Sequence, residues 1–118
     1  MAAVAGTIAD AVADWLFARG STKTLVDNGG DIAIRLSAGQ TATVGIRPQI
    51  DRLDISHTAH LDNCRSSWGV TTSGLGGRSF SRGIASAVTV IASNASLADA
   101  AATSIANACF VEDDSIVQ

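Results

Sequence analysis

The sequence has no tyrosine, a single proline and only two cysteines, and its aromatic content is 4%. Cys64 and Cys109 are far apart and outside any C-x-x-C spacing, which excludes a disulfide framework, so both are read as reduced thiols. Basic charge is also short. Eight lysines and arginines stand against eleven aspartates and glutamates, for a net charge of -3. A nucleic-acid partner normally calls for a basic surface, so none is expected, and an anionic ligand would need local help. Long apolar runs are missing as well, and nothing suffices to span a membrane. The opening MAAVAGTIADAVADWLFARG lacks a basic n-region, and Asp10 and Asp14 interrupt its apolar residues, so a helix is expected there and not a targeting segment. A cytoplasmic location is expected.

What remains is a globular composition, 47% apolar and 16% charged over 118 residues, enough for one domain with one core. Val4, Ile8, Val12 and Trp15 with Leu16 recur at helical spacing, and Gly20 supplies a stop. This predicts an amphipathic helix with those residues inward and Asp10 and Asp14 as solvated charges; the alternative makes them paired carboxylates. Thr24–Val26 is short and β-prone, and DNGGD follows at Asp27–Asp31. Its Asn28-Gly29 is a hairpin signal, and its glycines also suit a loop that cradles a ligand. Ile32, Ile34 and Leu36 alternate, as do Ala42, Val44 and Ile46, and Ser37–Gln40 joins the two runs into a predicted antiparallel hairpin.

From Arg47 to Trp68 the pattern is lost, with an edge strand expected at Asp51–Ser56. His57, His60 and Cys64 in HTAHLDNC carry zinc-type donors, but their spacing matches no established zinc pattern, and a surface loop is the simpler reading. Val70–Ser73 reads as a strand end, and Gly74, Gly76 and Gly77 could shape an anion-binding nest. Ser86–Ile91 alternates with both faces mostly apolar, which predicts a central strand. A helix start falls at Ser93–Ser96. Ser96 and Asp99 have capping-box spacing, and a mid-helix Thr103 can bond the carbonyl of the preceding turn. Asp99 and Thr103 also lie one turn apart on one helix face, where their oxygens could meet one cation or one phosphate. Both readings stand.

TTSG at Thr71–Gly74, AVTVIA at Ala87–Ala92 and LADAAAT at Leu97–Thr103 resemble, in order, three motifs of the ApbE family, the FAD:protein FMN transferases. Gly6 with Asp10 is similar to that family's K-G-x-x-x-D helix, and NGGDIAIRL with VGI to its hairpin. An uncharacterised ApbE-like branch is closer still, carrying NGGDIA, TSG, GRSFS or GHSLS, AVTV and ADAAAT, and the likeness covers nearly the whole chain. The resemblance implies an α+β, T-fold-like antiparallel sheet with helices on one face, in a single domain over 1–118 that is incomplete at both ends. Missing strands would leave edges that a second copy could pair with, giving a homodimer.

The family chemistry implied is magnesium-dependent transfer of FMN from FAD to a serine or threonine of an acceptor protein, with AMP leaving. Carried over residue by residue, Asp99 and Thr103 would ligate magnesium. Asn28, Gly29, Gly30, Asp31, Thr71, Thr72, Ser73, Gly74 and Arg78 would hold the flavin nucleotide. The chain departs from the family in two places. Ala5 stands where the family has lysine, and GLGGRSFSRGIAS replaces its H-x-x-D-P segment. Arg78 and Arg82 suit phosphate but are not bases. A non-catalytic flavin or nucleotide binder is therefore the second expectation, and a structural fragment the third. The geometry expected of a site is NGGD beside TTSG, with Asp99 and Thr103 in the same cleft.

Overall fold

The computed structural model describes residues 3–46, 57–74 and 87–105. Helix α1 (Val4–Ala18) leads into strands β1 (Lys23–Asn28) and β2 (Asp31–Leu36). Gly29 and Gly30, both at positive φ (64° and 101°), close the two-residue turn between them, the connection whose twist matches that of the flanking strands. Strands β3 (Ala42–Ile46), β4 (His57–Leu61), β5 (Ser67–Gly74) and β6 (Ala87–Ala92) follow, and a second helix, α2, occupies residues 95–105. Four strands form one antiparallel sheet in the order β1-β2-β5-β6, and β3 and β4 form a separate antiparallel ribbon.

This is the expected α+β architecture, with both helices on one face of the sheet. Strand alternation assigns the faces. Thr24, Val26, Ala33, Arg35, Gly69 and Thr71 lie under the helices. Ile34, Leu36 and Val70 point the other way and pack against Ala42, Val44 and Leu61 of the ribbon, with Ile32 and Trp68 at the margin.

Several local expectations are corrected. The runs Ile32–Leu36 and Ala42–Ile46 do not pair as a hairpin. Residues 37–41 carry the chain out of the main sheet, so the apolar faces of β2 and β3 meet across a layer instead of lying side by side. Alternation marks which side of a strand is buried but not by what. HTAHL is strand β4, not a loop, with Leu61 buried and His60 exposed. Strand β6 takes an outer position among the described strands instead of a central one. The edge strand expected at 51–56 lies outside the described residues.

The largest correction concerns α1, which is turned over relative to its hydropathy. Gly6, Ala9 and Ala13 are its buried residues, while Val4, Ile8, Val12, Trp15 and Leu16 are 38–55% exposed. Small side chains let the helix press close to β1 and β2, where Ala9 and Ala13 pack with Ala33, Ala95 and Val26. Trp15 stays outside under a stacked guanidinium, Arg19, 3.6 Å from the ring centroid. No helix among the described residues is long and apolar enough to cross a membrane.

Candidate functional site

The inverted packing of α1 puts charge beneath it. Arg35 projects from β2 into the helix layer, 5% exposed. Its Nη2 donates to Asp10 Oδ1 at 2.9 Å and its Nε to Asp14 Oδ1 at 2.7 Å. Burial acts to lower the guanidinium pKa, but the two carboxylates outweigh it and raise the pKa above its ordinary value. Asp10 is thus no solvated charge. Asp14 keeps most of its contact with water, and its partner among the described residues is Arg35.

Asp10 has a second task. Its Oδ1 and Oδ2 accept the backbone N–H groups of Ala95 (2.9 Å) and Ser96 (2.8 Å), two of the amides that the first turn of α2 leaves without helical partners. Asn94 completes that cap by accepting the Leu97 N–H at 2.8 Å. The capping box expected between Ser96 and Asp99 is therefore absent. Asp99 instead reaches back across the interface, and its Oδ2 accepts the Gly6 N–H at 2.9 Å. Ala3 at the start of α1 offers no side-chain cap, so Asp99 fills that role. Each helix caps the other.

Close approach makes this exchange feasible. A Cβ at Gly6 would lie 2.8 Å from the Asp99 Cβ and press on the Ala95 carbonyl; a Cβ at Gly69 would strike the Asn94 and Ala95 backbone. Thr7 and Ser96 hydroxyls meet at 3.2 Å along the same seam. The glycine-rich turn adjoins it, with Asn28 Nδ2 donating to the Ala5 carbonyl at 3.2 Å. NGGD and TTSG lie side by side. Asp31 is the register partner of Thr71, whose hydroxyl donates to Asp31 Oδ1 at 2.9 Å, and the Thr72 N–H donates to the Gly30 carbonyl at 3.3 Å. Thr72 also shares a 3.0 Å hydroxyl contact with Thr89.

Asp31 carries the electrostatic signature of this corner. Burial pushes its pKa above 3.8, and the like charges of Asp99 and Asp27 add to the rise against the Thr71 hydrogen bond. An aspartate of this kind holds more protons folded than unfolded, so its effect on stability turns unfavourable as pH rises through the folded pKa. Asp31→Asn should therefore raise the melting temperature at neutral pH, and the gain should vanish below pH 3.8. Melting curves of both proteins across that range check it; a gain that persists in acid would mean the carboxylate charge is not its cause.

The other expected site residues are distributed as follows. The Thr103 hydroxyl donates to the Asp99 carbonyl at 2.9 Å, the ordinary bond of a mid-helix threonine. Ser73 and Gly74 end β5, paired with Val88 and Ala87. Arg78 and Arg82 lie outside the described residues. His60 sits on the ribbon with its Nδ1 2.9 Å from the Thr43 hydroxyl, and Cys64 is exposed nearby. No group of three or more His, Cys, Asp or Glu among the described residues is placed to hold a metal ion. That Gly6, Asp10 and Arg35 jointly support this corner does not follow from the motifs. The available signal was the small-residue spacing Gly6, Ala9, Ala13, which marks a close-packed helix face.

Comparison with known proteins adds the family. The family model described as "AbpE bacteria" matches residues 1–118. The chain belongs to this family. Among similar proteins, a UPF0280 protein of Methanopyrus kandleri is 45% identical over 113 residues, covering 91% of this chain and 42% of its own. A UPF0280 protein of Methanothermobacter thermautotrophicus is 43% identical over 114 residues, covering 97% of this chain and 44% of its own. That of Archaeoglobus fulgidus is 41% identical over 107 residues, covering 91% and 42%. The chain thus spans less than half the length of these relatives. Gly6, Asp10 and Asp99, which lie within segments that resemble ApbE motifs, are the residues that cap and join α1 and α2.

Proposed function

We propose that this chain forms an ApbE-like, flavin-nucleotide-binding unit that takes FAD or FMN together with magnesium at the corner built by NGGD, TTSG and Asp99. The observation supporting this reading is the convergence of three distant segments there, tied by the Gly6–Asp99, Asn28–Ala5 and Thr71–Asp31 hydrogen bonds. The corner is acidic, and the Gly30 amide is already taken by Asp27 Oδ1 at 2.9 Å. With that amide taken and the corner acidic, a cation would mediate the contact with a pyrophosphate.

The donor types suit magnesium. Asp31 and Asp99 carboxylates and Thr71 and Thr103 hydroxyls are all oxygen, the hard-ligand type this cation takes. Burial, with the like charges of Asp99 and Asp27 adding to it, raises the Asp31 pKa, a condition a nearby cation would relieve. Magnesium commonly binds through one or two carboxylates plus ligand phosphates, which agrees with a site that is no closed protein cage. Asp99, with Asp31 and Thr103, would hold it, and bound magnesium would neutralise pyrophosphate charge. Since Asp99 Oδ2 already caps α1, cation binding would fall chiefly to Oδ1.

Binding is favoured over transfer. Passing FMN to a protein hydroxyl needs a base beside the site, and His60 is on the ribbon, across the sheet from α1 and α2. Transfer to an acceptor protein in the cytoplasm would draw on groups beyond the described residues. The test is an FAD titration of the parent and Asp99→Asn, each with and without magnesium. Parent binding should require the cation and weaken at least about ten-fold in the variant, the scale of one lost charge-assisted contact. Asparagine can still accept the Gly6 N–H, so the melting temperature should barely move. Equal, cation-independent titrations would remove the magnesium role of Asp99; AMP release by the parent would restore the transferase reading.

A further inference from the structure

Strand β1 is one of the two outer strands of the sheet, and among the described residues no strand pairs with its other edge. The Ser37 N–H donates to the Thr22 carbonyl at 2.9 Å, in the same register that pairs Thr24 with Arg35 and Val26 with Ala33. Antiparallel hydrogen-bonded pairs recur every second residue, so even-numbered positions of β1 bond β2. Lys23, Leu25 and Asp27 then turn their backbone N–H and C=O groups outward. These three side chains also share the face away from the helices, where all are exposed, Leu25 at 47%.

We infer that this edge joins a second copy of the chain, β1 against β1 about a two-fold axis at Leu25. Among the described residues only the odd-numbered positions of β1 leave their backbone groups without a strand partner, so an antiparallel self-pairing must match odd with odd. The register centred on Leu25 uses all three. It sets Leu25 against Leu25, and Lys23 against the partner's Asp27 in both directions. Charges on a strand edge usually deter pairing. Here their symmetric placement about Leu25 makes the edge complementary to itself.

The helix layer supports the same axis. Gly6, Ala9 and Ala13 face the sheet, and Thr7 and Asp10 face α2. Helical spacing then turns Val12 and Leu16 away from α2, towards the β1 edge, beside Val4, Ile8 and Trp15, which face outward. Helix α1 rests on both β1 and β2. With strands about 4.8 Å apart, the two copies of α1 would lie about 10 Å apart, the distance at which helices pack. The exposed apolar stripe would then close on its own copy over a continuous eight-stranded sheet.

Sedimentation of the 118-residue chain tests this, using the parent, Lys23→Glu, Asp27→Lys and an equimolar mixture of the two variants. The parent should run at twice its 12.0 kDa mass. Each variant alone opposes like charges at both ends of the pairing and should self-associate about thirty-fold more weakly, given the usual worth of cross-strand pairs. In the mixture the introduced glutamate of one variant faces the introduced lysine of the other, and the unchanged Asp27 of the first faces the unchanged Lys23 of the second, so dimer should return. That recovery also shows both variants folded, which matters because Asp27 accepts the Gly30 N–H. A monomeric parent, variants that dimerise like the parent, or a mixture that stays monomeric would each overturn the inference.

Discussion

Asp10→Ala should cost about 4 kcal/mol, combining a broken buried ion pair with a lost helix cap. The substitution strips Arg35 of its buried partner and leaves the amides of Ala95 and Ser96 without an acceptor. Against a typical domain stability of about 5–15 kcal/mol this is a large share, and at roughly 4 °C per kcal/mol the melting temperature should fall by about 15 °C. Asp14→Ala is the matched comparison. Asp14 contacts the same guanidinium but is 68% exposed, and its loss should cost no more than about 1 kcal/mol. Urea unfolding of the two variants decides the matter, since equal costs would show that the tie between α1 and α2 does not run through Asp10.

Gly6→Ala is expected to have the opposite sign from the one helix propensity gives. Within an exposed helix the change gains about 1 kcal/mol. At Gly6 the new methyl would meet the Ala95 carbonyl and the Asp99 Cβ, so α1 and α2 must separate, and overpacking of this kind costs about 1–3 kcal/mol. Separation would also lengthen the Gly6 N–H bond to Asp99, adding part of a cap's worth to the loss. A melting temperature below the parent's, with weaker magnesium-dependent FAD binding, is the expected result. A stabilised variant would mean that the helices are not in close contact at this point.

Much of the frame was legible because its signals are local. Asn28-Gly29 announced the β1–β2 turn, alternation marked β2, β3 and β6, and the Ser93–Ser96 region marked the start of α2. Partner choice was not local. Residues 37–41 look like a hairpin turn yet pass the chain between sheets, and nothing in β2 or β3 alone records that. Arg35 stands where an alternating strand would show a solvent-facing residue, but the helix above supplies two carboxylates that make its burial tolerable. Helix α1 misled for a related reason, since alanine and glycine contribute little to hydropathy while governing how near two elements can come. The corner around Asp99 was placed by motif likeness; the Gly6–Asp99 bond spans 93 residues, beyond what spacing along a chain can report.

The exchange of caps between α1 and α2 also dictates an order of events during synthesis. Asp10 leaves the ribosome 85 residues before the first α2 amide it accepts, an interval of roughly 4–17 s at ordinary elongation rates of about 5–20 residues per second. Throughout it α1 has neither Asp99 for its own amides nor α2 to close over its small-residue face, although Arg35 and the β1–β2 hairpin arrive much sooner. The nascent helix therefore waits on the hairpin with a polar seam open. Helix α2 locks α1 when it emerges, so a nascent chain held before residue 95 has left the ribosome would carry the strands of the main sheet but an unfinished helix layer.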